Sequence, residues 1–388
     1  MTLPFLHAEA VQSARERISS TDERTLTEQA ELAAIPAPSF AEEARGLRMA
    51  ELMAQSGLVR VRSDEVGNIL AERPGTEDGP PLVVSAHLDT VFPADTPISI
   101  SRQGDLFRGP GISDDARGLA VVLAMARALE KGQIRTRSPL LFVATVCEEG
   151  VGDLRGVKHL FRTGGEGSAA KGFISVDGAG TDRLVVRGLG SRRFRLTLRG
   201  PGGHSWTDWG KPNPIHGLSR VVDHITRMGL ATDPRTTLTV ARWGGGTSIN
   251  AIPQEAWIEV DTRSESPGEL DALDREIRSA LQEHARGAAG PLSFEIESIG
   301  SRPGGSTAGN DPLVSAAMAA TRALGREPVL SVSSTDANIP MSLGIPAITV
   351  GGGGEAGETH TTNEWYRNTN GSDGVTRALY LVLLAAGY

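Results

Sequence analysis

The chain has 388 residues, with 39 Lys+Arg against 47 Asp+Glu and a formal net charge of −8; this length suggests two domains. Apolar residues make up 39%, which excludes wholesale disorder, and the acidic balance argues against a dedicated nucleic-acid or anionic-membrane binder. Cys147 is the single cysteine, so no internal disulfide forms, and no apolar run reaches the ~18 residues of a membrane span. The first residues, MTLPFLHAEAVQSARER, show no basic stretch leading into a long apolar one. No signal peptide is therefore expected, and the reading is a soluble cytoplasmic protein.

Residues 25–58 read as two short helices broken at Ile35-Pro36-Ala37-Pro38, because proline supplies no N–H and disfavours helix in its predecessor. Residues 68–73 and 82–86 have strand character. Leu119, Val122, Leu123, Ala126 and Leu129 then form a helical stripe over 115–131. The continuous apolar runs 140–146 and 171–176 read as strands buried on both faces. Alternation of such strands with helices predicts an α/β fold with a mainly parallel sheet. From about Gly190 the rhythm changes. Segments 192–199, 236–242, 256–261 and 292–299 alternate polar with apolar residues, with helical stretches at 214–228 and 267–286. This β-α-β-β-α-β order is the split βαβ plan, closing at the linker Ser301-Arg302-Pro303-Gly304-Gly305. A helix over 312–324, a strand over 347–350 and a helix over 373–386 resume the first rhythm. The expected organisation is a discontinuous α/β domain, 1–189 and 301–388, holding an inserted split-βαβ (ferredoxin-like) domain at 190–300.

Charged residues cluster where the predicted strands end. One strand runs into His87-Leu88-Asp89, another into Cys147-Glu148-Glu149, a third into Asp177-Gly178. A glycine-rich turn leads to Asp114-Asp115 at a helix start, and the last strand leads through four glycines to a stretch holding Glu358, His360 and Glu364. Carboxyl ends of parallel strands gather at one rim, and carboxylates there are costly unless paired or bound to cations. His, Asp and Glu without thiolate suit Zn²⁺, Mn²⁺ or Co²⁺. A pair of ions needs a bridging carboxylate, and a separate carboxylate must take the proton of the attacking water. Glu148-Glu149 offers one acid for each task, and the His87-x-Asp89 spacing lets Asp89 hold the second imidazole nitrogen. Each element alone has a plainer reading. Asp114-Asp115 is also a good helix cap, Gly351–354 a flexible loop, Cys147 a core residue, and Arg192, Arg193, Arg195 and Arg199 a solvated strand face. Trp206 and Trp209 read either as interface or substrate-facing aromatics or as cover for the inserted sheet.

In sequence order, SAHLDTVFP, GPGISDDARGLA, VCEEGVGDLRG, SVDG, GPGGHSW, SINAIP, DTRSES and GETHTTNEW resemble the dinuclear zinc exopeptidase and deacylase family. That family includes peptidase T, succinyl-diaminopimelate desuccinylase, acetylornithine deacetylase and glutamate carboxypeptidase. The resemblance implies His87 and Asp177 as ligands of one ion, Glu149 and His360 of the other, and Asp114 as the bridge, with Asp115 its rival. It implies Asp89 as the histidine-orienting acid and Glu148 as general base acting on a metal-bridging water. His204 is implied as a histidine that reaches a dimer partner's site and steadies the oxyanion, and Asn250 and Arg263 as substrate contacts. The expected activity is hydrolysis of an amide bond in small peptides by a homodimer carrying two divalent ions, Zn²⁺ first, with Co²⁺ or Mn²⁺ as substitutes. The segments DLRG (153–156) and TDAN (335–338) look closest to peptidase-T-like members. The alternatives are an N-acyl amino acid deacylase and a non-catalytic small-molecule binding protein on the same scaffold.

Overall fold

The computed structural model describes residues 4–286 and 290–388, which divide into two compact units, 4–188 with 305–388 and 189–304. In the first unit, strands Leu82–His87, Leu140–Thr145, Gly172–Val176 and Ala347–Val350 are buried at every residue. They pair in parallel as neighbours in one sheet, with Leu82–His87 between Leu140–Thr145 and Gly172–Val176. Burial on both faces explains why these segments are continuously apolar rather than alternating. Antiparallel strands flank this centre, Ile69–Arg73 and Val59–Ser63 on one side and Arg183–Gly188 on the other. Val329–Ser333 adds to Arg183–Gly188 in parallel.

Side chains of alternate register fill two cores. Leu82, Val84 and Phe142 face a large cluster containing helix Ala116–Lys131, while Val83, Leu141, Val143 and Phe173 face a smaller one with Val157, Leu160 and Phe161. Helix Ala116–Lys131 packs on Leu82–His87 and against helices Asp22–Ala33 and Ser372–Ala386. With its residues from Ala116 to Leu129 buried, it is the central helix of the unit, and each large apolar side chain so covered contributes about 1.5–3 kcal/mol. The helix break at Pro36–Pro38 stands as expected, between Asp22–Ala33 and Glu43–Gln55. Helix Glu9–Ser20 and strands Val59–Ser63, Arg183–Gly188 and Val329–Ser333 are additions. Val59–Ser63 and Val329–Ser333 have no fully buried residue, so their sequences lack the apolar density that marked the central strands.

The glycines after Ala347–Val350 mark a close backbone approach rather than a flexible loop. The Gly352 N–H donates to the Gly178 carbonyl at 2.7 Å, and the Gly353 N–H to the Gly180 carbonyl at 3.0 Å. A Cβ at Gly351 would fall on the Ala179 carbonyl, and one at Gly374 on the Gly352 carbonyl. Two buried arginines bind the same segment. Arg117 donates to the carbonyls of Gly352 (2.8 Å) and Gly371 (2.6 Å), and Arg377 to those of Gly351 (2.5 Å) and Thr181.

The second unit has a four-stranded antiparallel sheet in the order Thr236–Gly245, Glu255–Ser264, Gly190–Arg199, Ser293–Arg302. With helices Pro214–Thr226 and Pro267–Ala285 this is the split βαβ arrangement. Leu196, Leu198, Leu218, Val221, Ile258, Ile277 and Leu281 form its own core. The last strand continues through Ser301 and Arg302, which pair with Arg192 and Ser191, so these two residues belong to the sheet rather than to a linker. The arginines of Gly190–Arg199 are matched by acids: Arg192 by Asp271 and Asp274, Arg193 by Asp261, Arg195 by Glu259, and Arg199 by Glu255 and Glu295. Trp206 and Trp209 are each 84% exposed, so neither serves to cover the sheet. Among the described residues no helix is long and apolar enough to cross a membrane.

The glycine contact gives a direct test. Gly374→Ala must displace the Gly352 carbonyl and is expected to cost about 1–3 kcal/mol, as overpacking does. The expected readout is a lower urea midpoint with an unchanged m-value, measured by circular dichroism.

Candidate metal centre

Three neighbouring parallel strands deliver their ends to one rim. His87 is the last residue of Leu82–His87, Glu148 and Glu149 follow Leu140–Thr145, and Asp177 follows Gly172–Val176. Asp114 arrives from the loop before Ala116–Lys131, and His360 from the loop after the glycine segment.

Asp114 stands between the two histidines. Its Oδ1 is 2.9 Å from His87 Nε2 and its Oδ2 is 3.1 Å from His360 Nε2, which also lies 3.0 Å from Glu149 Oε1. Ligand-type atoms of His87, Asp114 and Asp177 lie within 4.8 Å of one another, as do those of Asp114, Glu149 and His360. Asp114 is common to both triads. A further grouping of the same compactness contains His87, Glu148 and Glu149, so the Glu148 carboxylate borders the cluster. The structure thus brings together His87, Asp114, Glu148, Glu149, Asp177 and His360.

The electrostatics favour added positive charge. Burial opposes the Asp114 carboxylate, but its hydrogen bonds to His360 and His87 overcome this and hold its pKa well below the usual range. Hydrogen bonds to Asp114 and Glu149 raise His360 to about 10. Burial opposes charge on His87, yet hydrogen bonding to Asp114 and Asp89 raises its pKa well above the ordinary value. Burial and the nearby Asp114 charge push Asp177 up to about 7. Imidazole nitrogens and carboxylate oxygens arranged in this way form a donor set for borderline divalent cations, and protons occupy the same electrostatic role.

Three further buried acids organise the backbone around these groups. Asp89 accepts the N–H of Glu148 (2.8 Å) and Glu149 (2.9 Å) and the Ser39 hydroxyl (2.7 Å). Its carboxylate is 3.5 Å from His87 Nδ1, farther than its own backbone carbonyl at 3.0 Å. That ring nitrogen thus faces both the backbone carbonyl and the carboxylate of Asp89, and the carboxylate also fixes the Glu148-Glu149 turn. Asp115 caps helix Ala116–Lys131 through the Gly118 N–H (2.9 Å) and also accepts the His87 N–H (3.0 Å). It is a structural anchor, while Asp114 is the residue shared by the histidines. Sequence reasoning assigned no role to Glu364. Its carboxylate accepts the N–H groups of Gly111, Ser113 and Asp114 at 2.8–3.0 Å and the Ser113 hydroxyl at 2.6 Å, pinning the Asp114 loop. Its only sequence signal was an acid close after a ligand-type histidine. Below the rim, fully buried Arg45 donates to the carbonyls of Leu88 (2.8 Å) and Ile35 (2.6 Å), and burial lowers its pKa to about 10. Cys147 is buried as expected, with burial and the adjacent Glu42 pushing its thiol up to about 12.

His204, Asn250 and Arg263 belong to the inserted unit. His204 pairs with Ala251 across a short two-stranded ribbon, and the Ser205 N–H donates to the Asn250 carbonyl at 3.0 Å, so His204 and Asn250 lie side by side. The Trp206 N–H donates to His204 Nδ1 at 3.1 Å, which leaves the proton of a neutral ring on Nε2. Arg263 contacts Asp261 at 2.8 Å, an acid it shares with Arg193.

At this rim of an α/β sheet two histidines and three carboxylates surround one shared aspartate, the donor set of a paired divalent-ion site such as metal-dependent hydrolases use. Comparison with known proteins makes this specific: residues 83–384 match peptidase family M20/M25/M40, and the chain belongs to that family of hydrolytic enzymes. It is 29% identical over 312 residues to a putative succinyl-diaminopimelate desuccinylase of Mycobacterium tuberculosis, covering 78% of this chain and 82% of that protein. Aminopeptidase PepT of Bacillus cereus has the same fold, with a TM-score of 0.76, 24% identity, and coverage of 94% of this chain and 99% of that one. The fold is also that of a dinuclear metal-binding M20 peptidase of Bacillus subtilis, with a TM-score of 0.69, 17% identity, and coverage of 95% of this chain and all of that one.

Two outcomes test this electrostatic account. In the metal-free protein, His360 with its raised pKa contributes stability that is complete below about pH 6.5 and lost as pH rises to about 10; its imidazole proton resonance should titrate near the upper value. Glu364→Gln should lower divalent-metal affinity about 10–100-fold by calorimetry while leaving the fold intact.

Proposed function

We propose that the protein hydrolyses an amide bond in small peptides, acting as an exopeptidase with two divalent ions, Zn²⁺ first and Co²⁺ or Mn²⁺ as substitutes. His87 and Asp177 would hold one ion, Glu149 and His360 the other, and Asp114 both. Bound there, the ions supply Lewis acidity at the scissile carbonyl and lower the pKa of the attacking water. Glu148, buried beside the ligands, takes that water's proton and passes it to the departing amine. Asp89 keeps Glu148 in place through the backbone N–H it accepts. His204 presents Nε2–H as an oxyanion donor, supplied in trans by a second copy of the chain paired through the inserted unit. Asn250 and Arg263 contact the substrate's carboxylate or oxyanion. The chain works in the cytoplasm.

The observation that carries this reading is the joint presence of a shared Asp114 and an adjacent, separate Glu148, one acid for the ions and one for the proton. Glu148 together with all five ligand-type residues argues for an enzyme over a binding protein on this scaffold. A second reading, removal of an acyl group from an N-acyl amino acid, is favoured by the similarity to the putative desuccinylase.

Glu148→Gln should reduce turnover by about 10²–10⁴-fold or more with unchanged metal content by atomic emission. Retained turnover in that variant would remove Glu148 as the base. A panel of dipeptides, tripeptides and N-acyl amino acids with added Zn²⁺ or Mn²⁺ separates the readings: turnover confined to the N-acyl substrates would replace the peptidase by the deacylase.

A further inference from the structure

The inserted unit carries a second cluster of metal-ligand side chains, on its two helices. Ligand-type atoms of His224, Glu283 and His284 lie within 4.8 Å of one another. His224 Nε2 is 3.0 Å from Glu276 Oε1, and the His224 and His284 rings are 5.5 Å apart, edge to face. His224 stands on helix Pro214–Thr226, and the other three residues on helix Pro267–Ala285.

The arrangement follows from how the helices pack. A Cβ at Gly217 would lie 3.9 Å from the His284 carbonyl, whereas His224, two turns later, meets Glu276, two turns before His284. The helices therefore run antiparallel. Side chains lean toward the N-terminus of their own helix, so His224 and His284 incline toward each other across the crossing. Val221, Ile225, Ile277, Ala280 and Leu281 are buried beneath them and fix the helix spacing. Both histidines are half-buried.

We propose that His224, His284 and Glu283 form a cation site of the inserted unit that takes one divalent transition-metal ion of the kind imidazole prefers, Zn²⁺ or Ni²⁺, and clasps the two helices, with Glu276 beside His224. In a tetrahedral site with metal–ligand distances of ~2.0–2.1 Å, ligand atoms sit about 3.3 Å apart. The ligand-type atoms of His224, Glu283 and His284 already lie within 4.8 Å of one another. Two neutral imidazoles with one or two carboxylates is a common Zn²⁺ donor set, and imidazole protonation makes the site acid-labile. The site is built wholly from one unit and uses none of the residues around Asp114.

The test uses the full chain. Protein equilibrated with Zn²⁺ at neutral pH and passed through gel filtration should retain one equivalent more than the His224→Ala/His284→Ala variant, by atomic emission. Glu283→Gln should retain an intermediate amount or exchange its ion faster. On the wild-type protein, Zn²⁺ should shift the imidazole resonances of His224 and His284 in a saturable, one-site manner that is lost near pH 5. Equal metal content in wild type and the histidine variant, or histidine resonances that do not respond to Zn²⁺, would overturn the proposal.

Discussion

The structure turns on the confinement of several carboxylates in one buried rim. Two unit charges of like sign at 4 Å repel by about 4 kcal/mol at an effective dielectric of 20, so such a cluster persists only when cations or protons are interleaved with it. Asp114 meets this condition by facing an imidazole with each oxygen. The high proton affinities of His360 and Asp177 express the same demand for positive charge. A divalent ion answers it more completely than a proton, because it engages several oxygens at once.

The ligand-type residues are held by a framework of buried acids and arginines. Asp89, Asp115 and Glu364 each accept several hydrogen bonds, mostly from backbone N–H groups, and each fixes a different loop of the rim. Arg45, Arg117 and Arg377 do the converse, donating to backbone carbonyls beneath and beside it. Hydrogen bonds with one ionised partner are roughly twice as strong as neutral ones, and here they substitute for regular secondary structure where the chain leaves the sheet. Position at the rim is set largely by these acids and arginines.

The parallel core was legible because residues such as Val83, Phe142 and Ile174 leave only isolated small polar residues such as Ser85 and Ser175 within the body of their strands. The strand ends were equally plain, since His87 and Asp177 interrupt apolar runs with side chains that burial penalises. Asp115 was ambiguous in one dimension: adjacent aspartates look alike until the fold turns one toward the helix and the His87 backbone and the other toward the rings. Glu364 was illegible as a loop clamp because its partners lie some 250 residues earlier in the chain. The split βαβ order of the inserted unit was readable from alternation, yet the partners of its arginines were not, because cross-strand register decides which acid meets which base. The glycines of 351–354 show the same limit. Composition allows flexibility there, and only the neighbouring Gly178 and Gly180 carbonyls turn it into rigidity.

The inserted unit begins just after Gly188 and ends just before Gly305, and these two glycines are direct cross-strand partners in the first unit's sheet. On the other side of the crossing, a Cβ at Gly190 would touch the Gly304 backbone. The chain thus enters and leaves through a single doorway one strand-spacing wide. Loop closure across so short a gap carries little entropic cost, so a tight turn could replace the whole insert without disturbing the register of the larger sheet. Genetically, the insert is one contiguous stretch of sequence, while the residues around Asp114 are encoded by the segments on either side.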